Sequence, residues 1–190
     1  MTNKIEFSDD PNYKNNDKIE DWHGEYPKIF EKHNNFRSML STYDRSCVFH
    51  YNGQTFQTVQ HALQYMKFSL QNNPAAKSFS LKSKATLSKR SAKRANRIGS
   101  RLHMTSEEKK KWDMLHDILI AEITEEKYAQ NAHTLFAAVL CATKDAELWF
   151  VDKSSNSQTK KVRVYYLEQI RERLQLVLNV VESCFDCNHI

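Results

Sequence analysis

The dipeptide Asn52-Gly53 stands between two short runs of β-branched and aromatic residues, Cys47-Val48-Phe49-His50-Tyr51 and Gln54-Thr55-Phe56, and it constrains its surroundings more narrowly than any other part of the sequence. A two-residue hairpin turn needs a positive φ at both central positions, which Asn and Gly adopt at least cost, so the stretch predicts a β-hairpin. Thr58 follows at once. Its hydroxyl suits an N-cap, and Val59, Ala62, Leu63, Met66 and Leu70 then recur at helical spacing. Gln60, Gln64 and Lys67 fall on a different face of that helix, one expected to line a pocket. With three Gly and three Pro in 190 residues the chain lacks the punctuation of a many-turned β-barrel, so helix should dominate.

The remaining segments predict the other elements. Residues 1–21 are rich in Asn, Asp and Lys and read as a polar arm, either extended or disordered; the domain proper is expected over 22–183, with Trp22, Tyr26, Ile29 and Phe30 pinning a short helix, and 184–190 as a tail. Residues 86–98 predict one basic helix with Leu87, Ala92, Ala95 and Ile98 inward, Lys89, Arg90, Lys93, Arg94 and Arg97 outward, and Gly99 as its stop. Thr105 and Glu108 form a capping box that opens a helix carrying Trp112, Leu115, Ile118, Leu119 and Ile123. A helix over 131–143, a buried strand over 147–151, a polar surface loop over 152–161 and a final helix over 164–183 complete the chain. The fold class expected is α+β, mostly α-helical, with a small hairpin and one short additional strand. The far end of the last helix (Leu174, Leu176, Val177, Leu178, Val180, Val181) holds more apolar surface than one core stripe requires, consistent with burial inside the domain or with a homo-oligomer contact.

At 190 residues the chain fits one domain. It has no run of the ~18–20 apolar residues that span a bilayer and no signal-like N-terminus, so no membrane partner and an intracellular location, cytoplasmic or nuclear, are expected. Cys47, Cys141, Cys184 and Cys187 read as reduced thiols; Cys184 and Cys187 with His189 have the spacing of a zinc half-site but lack a second pair, so neither metal nor cofactor is expected. No Gly-rich phosphate loop or nucleophile elbow occurs. Charge is informative by position: residues 77–111 hold twelve Lys/Arg against Glu107 and Glu108, a local +10 within a chain of net +5, so everything else sums to −5. Such a segment suggests an anionic partner, a phosphorylated small molecule or a nucleic acid.

Read in order, the segments resemble a known pattern. Leu40-Ser41-Thr42-Tyr43 is similar to an L-S-N-F turn, and Phe49 to Lys67 to the hairpin and helix F-x-Y-x-G-x-x-Y-x-T-x-E-H-x-x-Q-x-x-K. Ser91-Ala92-Lys93-Arg94, the helix opening with Trp112, the Lys127-Tyr128-Ala129-Gln130-Asn131 stretch and Leu140 to Leu148 (L-x-x-T-G-x-A-x-L) follow in the same order. This co-linearity over residues 36–173 resembles the YbiA-like (NADAR) N-glycosidase family, and the Thr143-Lys144-Asp145-Ala146 wording is similar to versions carried by large DNA viruses, which would make the protein virion-associated. The resemblance implies cleavage of an N-glycosidic bond in a ribose-phosphate intermediate of riboflavin synthesis or removal of ADP-ribose from a nucleobase. It implies a nucleotide or ADP-ribose-like ligand held by Gln60, His61, Lys67, Lys93, Trp112 and Asp145, with phosphate contacts from Lys89, Arg90, Arg94 and Arg97.

Two departures bear on chemistry. The family's helix glutamate falls on Gln60, whose amide can bond a sugar but cannot take a proton, and the second acid falls on Phe150. The W-G motif after it has no counterpart in 153–158. Losing a positioned general base costs roughly 10²–10⁴ in rate. No catalytic residue is therefore assigned; Asp145, Glu147 and Asp152 are the nearby acids. Three readings stay open: an N-glycosidase-like enzyme, a binding module without cleavage, and a structural or assembly protein docking through its last helix.

Overall fold

The structure is a computed structural model that describes residues 4–9, 36–153 and 159–186. In chain order its elements are β1 (Lys4–Phe7), α1 (Phe36–Met39), β2 (Phe49–Tyr51), β3 (Gln54–Phe56), α2 (Val59–Ser69), three 3-10 turns (Pro74–Phe79, Leu81–Ser83, Thr86–Lys89), α3 (Ala92–Gly99), α4 (Ser106–Gln130), α5 (Leu135–Ala142), β4 (Glu147–Lys153), β5 (Thr159–Arg163) and α6 (Tyr165–Asp186). They form two compact units, Ser41–Asn131 and the combination of Met1–Leu40 with Ala132–Ile190. The helix expected around Trp22 to Phe30, the domain start near residue 22 and the zinc half-site residues Cys187 and His189 lie outside the described residues, as does the Cys184 side chain.

The Ser41–Asn131 unit begins with the hairpin. Asn52 (φ 46°) and Gly53 (φ 69°) supply the two positive φ values, and Phe49 pairs with Phe56, His50 with Thr55 and Tyr51 with Gln54. Thr58 caps α2 by accepting from the His61 backbone N–H. Phe49, Phe56, Val59, Ala62 and Leu63 then pack on Trp112, Leu119 and Ile123 of α4. Each large apolar side chain so buried contributes about 1.5–3 kcal/mol. Residues 112, 119 and 123 lie within about 20° of one direction on the helix wheel, whereas Ile118 is turned about 120° away, which is why it is 61 % exposed. A second cluster joins Phe68, Ala76, Phe79 and Ala95. The capping box of Thr105 and Glu108 is present in full.

The basic stretch 86–98 is not one helix. Its first turn ends at Lys89, Arg90 is extended (ψ 169°), and Ser91 caps a new helix by accepting from the Arg94 N–H. An N-cap residue keeps extended backbone while its side chain replaces a missing carbonyl, so the hydroxyl that starts α3 necessarily separates it from what precedes. The C-terminal end of α4 is tied to the hairpin and the loop before it. Gln130 accepts from the His50 N–H (2.7 Å) and donates to the His50 carbonyl (2.7 Å), satisfying both backbone groups on the open edge of β2. Asn131 donates to the Val48 carbonyl, and the Lys127 ammonium bonds the Asp44 carboxylate and carbonyl.

In the other unit β1 runs parallel to β4, with Lys4 opposite Glu147 and Phe7 opposite Phe150, and β5 returns antiparallel on the far side. Residues 4–7 are thus a sheet strand and not an arm, with Ile5 and Phe7 almost fully buried. Two apolar residues amid polar ones are too short a signal to separate from a solvated tail; the partner strand decides. The strand expected to stand alone is the centre of this sheet. Residues 152–153 and 159–161, expected as loop, are paired strand, the latter within β5. β5 reads as polar because it is an edge: Lys160 and Lys161 are exposed, and charged side chains there discourage further strand pairing.

Phe136, Ala137, Val139 and Leu140 of α5 are buried, as are Leu167, Ile170 and Leu174 of α6. A charge network lies beneath them. Glu168 accepts from the Leu148 N–H (2.9 Å) and from Arg163, Arg163 also reaches Glu147, and Arg171 donates to Thr143 Oγ1 and the Ala146 carbonyl. Burial would raise the Glu168 carboxyl, but the Arg163 guanidinium, the Leu148 N–H and Arg171 outweigh it and hold the pKa below its ordinary value. On α6, Leu176 and Val177 are exposed. Among the described residues no helix is long and apolar enough to cross a membrane.

Candidate functional site

The face of α2 opposite its apolar stripe is polar yet buried. Gln60 is 6 % exposed, Gln64 4 % and His61 0 %. Helical spacing puts Gln60, Gln64 and Lys67 on one side, and α3 packs against it. The Gln60 amide donates to Asn96 Oδ1 (3.1 Å), and Asn96 Nδ2 donates to the Tyr43 hydroxyl (2.9 Å). The Gln60 backbone N–H meanwhile donates to the Thr42 carbonyl, which ties the Ser41–Tyr43 turn to the start of α2. Further along, the Lys67 ammonium donates to the Gly99 carbonyl (3.0 Å) at the end of α3 and lies over the Trp112 ring, 5.4 Å from its centroid. Burial lowers the Lys67 pKa and Asp113 partly offsets it.

Gly99 does not stop the helix in a left-handed conformation; α3 includes it and Ser100 is the cap. A side chain here has to displace the Gln64 amide. A Cβ here would lie 1.6 Å from Gln64 Oε1 and 2.3 Å from its Cδ. The same Oε1 is buried without a hydrogen-bond partner. Gly99→Ala is therefore expected to lower stability by about 1–3 kcal/mol through overpacking, against up to about 1 kcal/mol gained in helix propensity. Thermal or urea melts check this, and Gln64→Ala in the same chain should recover most of the loss; an additive pair would show that the two side chains do not compete.

Each residue expected to hold the ligand or its phosphate lies among the described residues. Lys67 and Trp112 meet at one end of the seam just described, and Gln60 lies about two helical turns away at the other. His61 is fully inside, its Nδ1 2.8 Å from Thr58 Oγ1 and its Nε2 without a bond of good geometry; burial pulls its pKa below the ordinary value, with Leu87 and Arg90 backbone groups pulling the other way. It helps hold the start of α2 and faces no solvent. Lys89, Lys93 and Arg97 are exposed. Arg90 and Arg94, with Ser91 between them, line a cleft of about 380 Å³ at the N-terminal end of α3. Asp145 belongs to the other unit, where it is exposed beside the turn at Lys144 (φ 51°) that leads into β4. Phe150 is a packing residue there, its ring edge-on to Phe7 at 5.7 Å.

Sequence reasoning missed Tyr43, Asn96 and Gly99, which shape the seam. Nothing in the pattern of α3 marks Asn96 apart from its phase, about 40° from the buried Ala92 at the margin of the inward face. Chemically, the seam offers amide and hydroxyl groups that bond neutral hydroxyls, and the cleft offers two guanidinium groups and a helix N-terminus that favour an anion. Within this unit no acid occurs between Asp44 and Glu107, and Asp44 is engaged by Lys127. Among the described residues no group of three His, Cys, Asp or Glu side chains is placed to hold a metal ion.

No protein-family model and no curated protein matches the chain. Among solved structures it is similar to the NMR structure of the E. coli protein YbiA, with a TM-score of 0.53 and 18 % identity over 96 % of this chain and 90 % of that one. The likeness is one of fold: the chain has the α+β, YbiA-like fold.

Proposed function

We propose that the protein binds a phosphorylated ribose, of the ribose-phosphate or ADP-ribose type, and cleaves its N-glycosidic bond slowly or not at all. The observation that carries this reading is the cleft lined by Arg90, Ser91 and Arg94 at the N-terminal end of the helix that holds Asn96, the partner of Gln60. Its volume of about 380 Å³ falls within the range of small-molecule sites. Two guanidinium groups beside a helix N-terminus suit a phosphate, and Asn96 lies roughly 7 Å further along the helix axis, where a sugar would meet neutral amides. The amide at position 60 supports binding over turnover, because it can bond a hydroxyl but can neither activate water nor balance positive charge at an anomeric carbon.

Calorimetric titration with ADP-ribose tests the binding. Arg90→Gln with Arg94→Gln should weaken affinity at least tenfold, since each charge-assisted bond contributes about 1.5–3 kcal/mol; unchanged affinity would sink the proposal. Incubation with NAD, ADP-ribosylated DNA and a ribosylamino-pyrimidine phosphate tests the chemistry. Base release as fast as that of an active N-glycosidase would overturn the slow-cleavage half of the reading.

A further inference from the structure

Residues 45–106 contain no Asp and no Glu, yet they contain eleven Lys and Arg. Nine of these, from Lys77 to Arg101, are exposed, and none makes an ion pair with a carboxylate among the described residues. Among the described residues the nine side chains make a single hydrogen bond, from Lys82 to the Gly53 carbonyl. Ordinary surfaces intersperse both signs of charge, so a face this one-sided repels itself and costs stability unless an anion covers it. The cations are not strung along an extended tail. The three 3-10 turns pack on one another and the last of them on α3, so the charges share one rigid surface.

We propose that this surface binds the phosphate backbone of a nucleic-acid duplex. Two observations favour a duplex. The number of unpaired cations exceeds what one nucleotide can engage, which points to a polymer of phosphates. The only Phe, Tyr or Trp between residues 77 and 111 is Phe79, and it is 1 % exposed, so the face presents no ring on which unpaired bases could stack. Contact is therefore with the backbone and independent of base sequence. The proposal stands apart from the ribose-phosphate reading, because most of these cations lie outside the Arg90–Arg94 cleft.

The test is fluorescence anisotropy with a labelled random-sequence 20-base-pair DNA duplex across a salt series. About five phosphate contacts predict a log–log slope near −4.5, a loss of roughly 10²–10³-fold between 50 and 200 mM salt. Substituting Lys77, Lys82, Lys84 and Arg101 together by Gln should flatten the slope by about 2–4 while leaving ADP-ribose binding unchanged, which separates this face from the cleft. A slope shallower than −1, or a quadruple variant that binds like the parent, overturns the proposal. So does equal or tighter binding of a single strand, equal competition by polyglutamate, or binding to phosphatidylserine vesicles without binding to the duplex.

Discussion

A Lys127→Ala variant is expected to lose about 3–5 kcal/mol of unfolding free energy, which for a chain of this size moves the melting temperature down by roughly 10 °C or more. Lys127 is 0 % exposed, and its ammonium is held by the Asp44 carboxylate at 3.1 Å and the Asp44 carbonyl at 2.9 Å. Removing the cation leaves a carboxylate that is itself only 9 % exposed without its counter-charge. That is the costly way to break a buried pair. Replacing both partners with apolar residues, as in Lys127→Met with Asp44→Leu, should cost far less, because no orphaned charge remains. Urea melts of the single and double variants decide the matter; a single variant within 1 kcal/mol of the parent would refute the assignment.

The same pair has a pH signature. Burial lowers the Lys127 pKa below its ordinary value, and Asp44 restores only part. A lysine whose folded pKa is depressed is protonated more readily in the unfolded chain. Between the folded value and the unfolded value of about 10.4, stability therefore rises with pH as this one group titrates, and below the folded value its penalty is constant. Lys127→Met should remove that contribution at alkaline pH.

Gln60→Glu carries the largest expected change in activity. The Gln60 amide donates to Asn96 Oδ1, a bond that a carboxylate cannot make. Turning the Asn96 amide over resolves the conflict: its Nδ2 then donates to the new carboxylate, and the Tyr43 hydroxyl, which accepts from Asn96 in the parent, donates to Oδ1 instead. The seam thus accommodates an acid for about 1–2 kcal/mol or less, the scale of one rearranged hydrogen bond. A positioned carboxylate contributes about 10²–10⁴ in rate, so the variant should raise N-glycosidase turnover of its ligand by at least tenfold over the parent. Base release measured by chromatography, with ADP-ribose affinity as control for folding, reads this out. A folded Gln60→Glu that binds the ligand and shows no gain would mean that position 60 does not face the scissile bond.

Much of the fold was legible because its causes are local. Asn52-Gly53, Thr58 and the Thr105–Glu108 box act within three or four residues, and the periodic apolar positions of α2, α4 and α5 point to their cores whatever the partners are. The candidate site was legible in part. Arg90, Arg94 and Gln60 stand out by charge or by departure from a pattern, whereas Asn96 and Gly99 do not. Their roles come from α2, some 32–36 residues earlier in the chain.

By itself, then, the sequence determined the hairpin, the starts of α2 and α4, most of their inward faces and the single-signed surface of residues 45–106, all of which follow from φ preference, capping and spacing along the chain. Only the tertiary structure decided that Lys4–Phe7 is a strand, that β5 exists, that Gln130 closes the edge of β2 from 80 residues away, and that the polar face of α2 is buried. Those outcomes depend on partners remote in sequence, whose contribution is decided by which groups the folded chain brings within hydrogen-bond reach and hides from water.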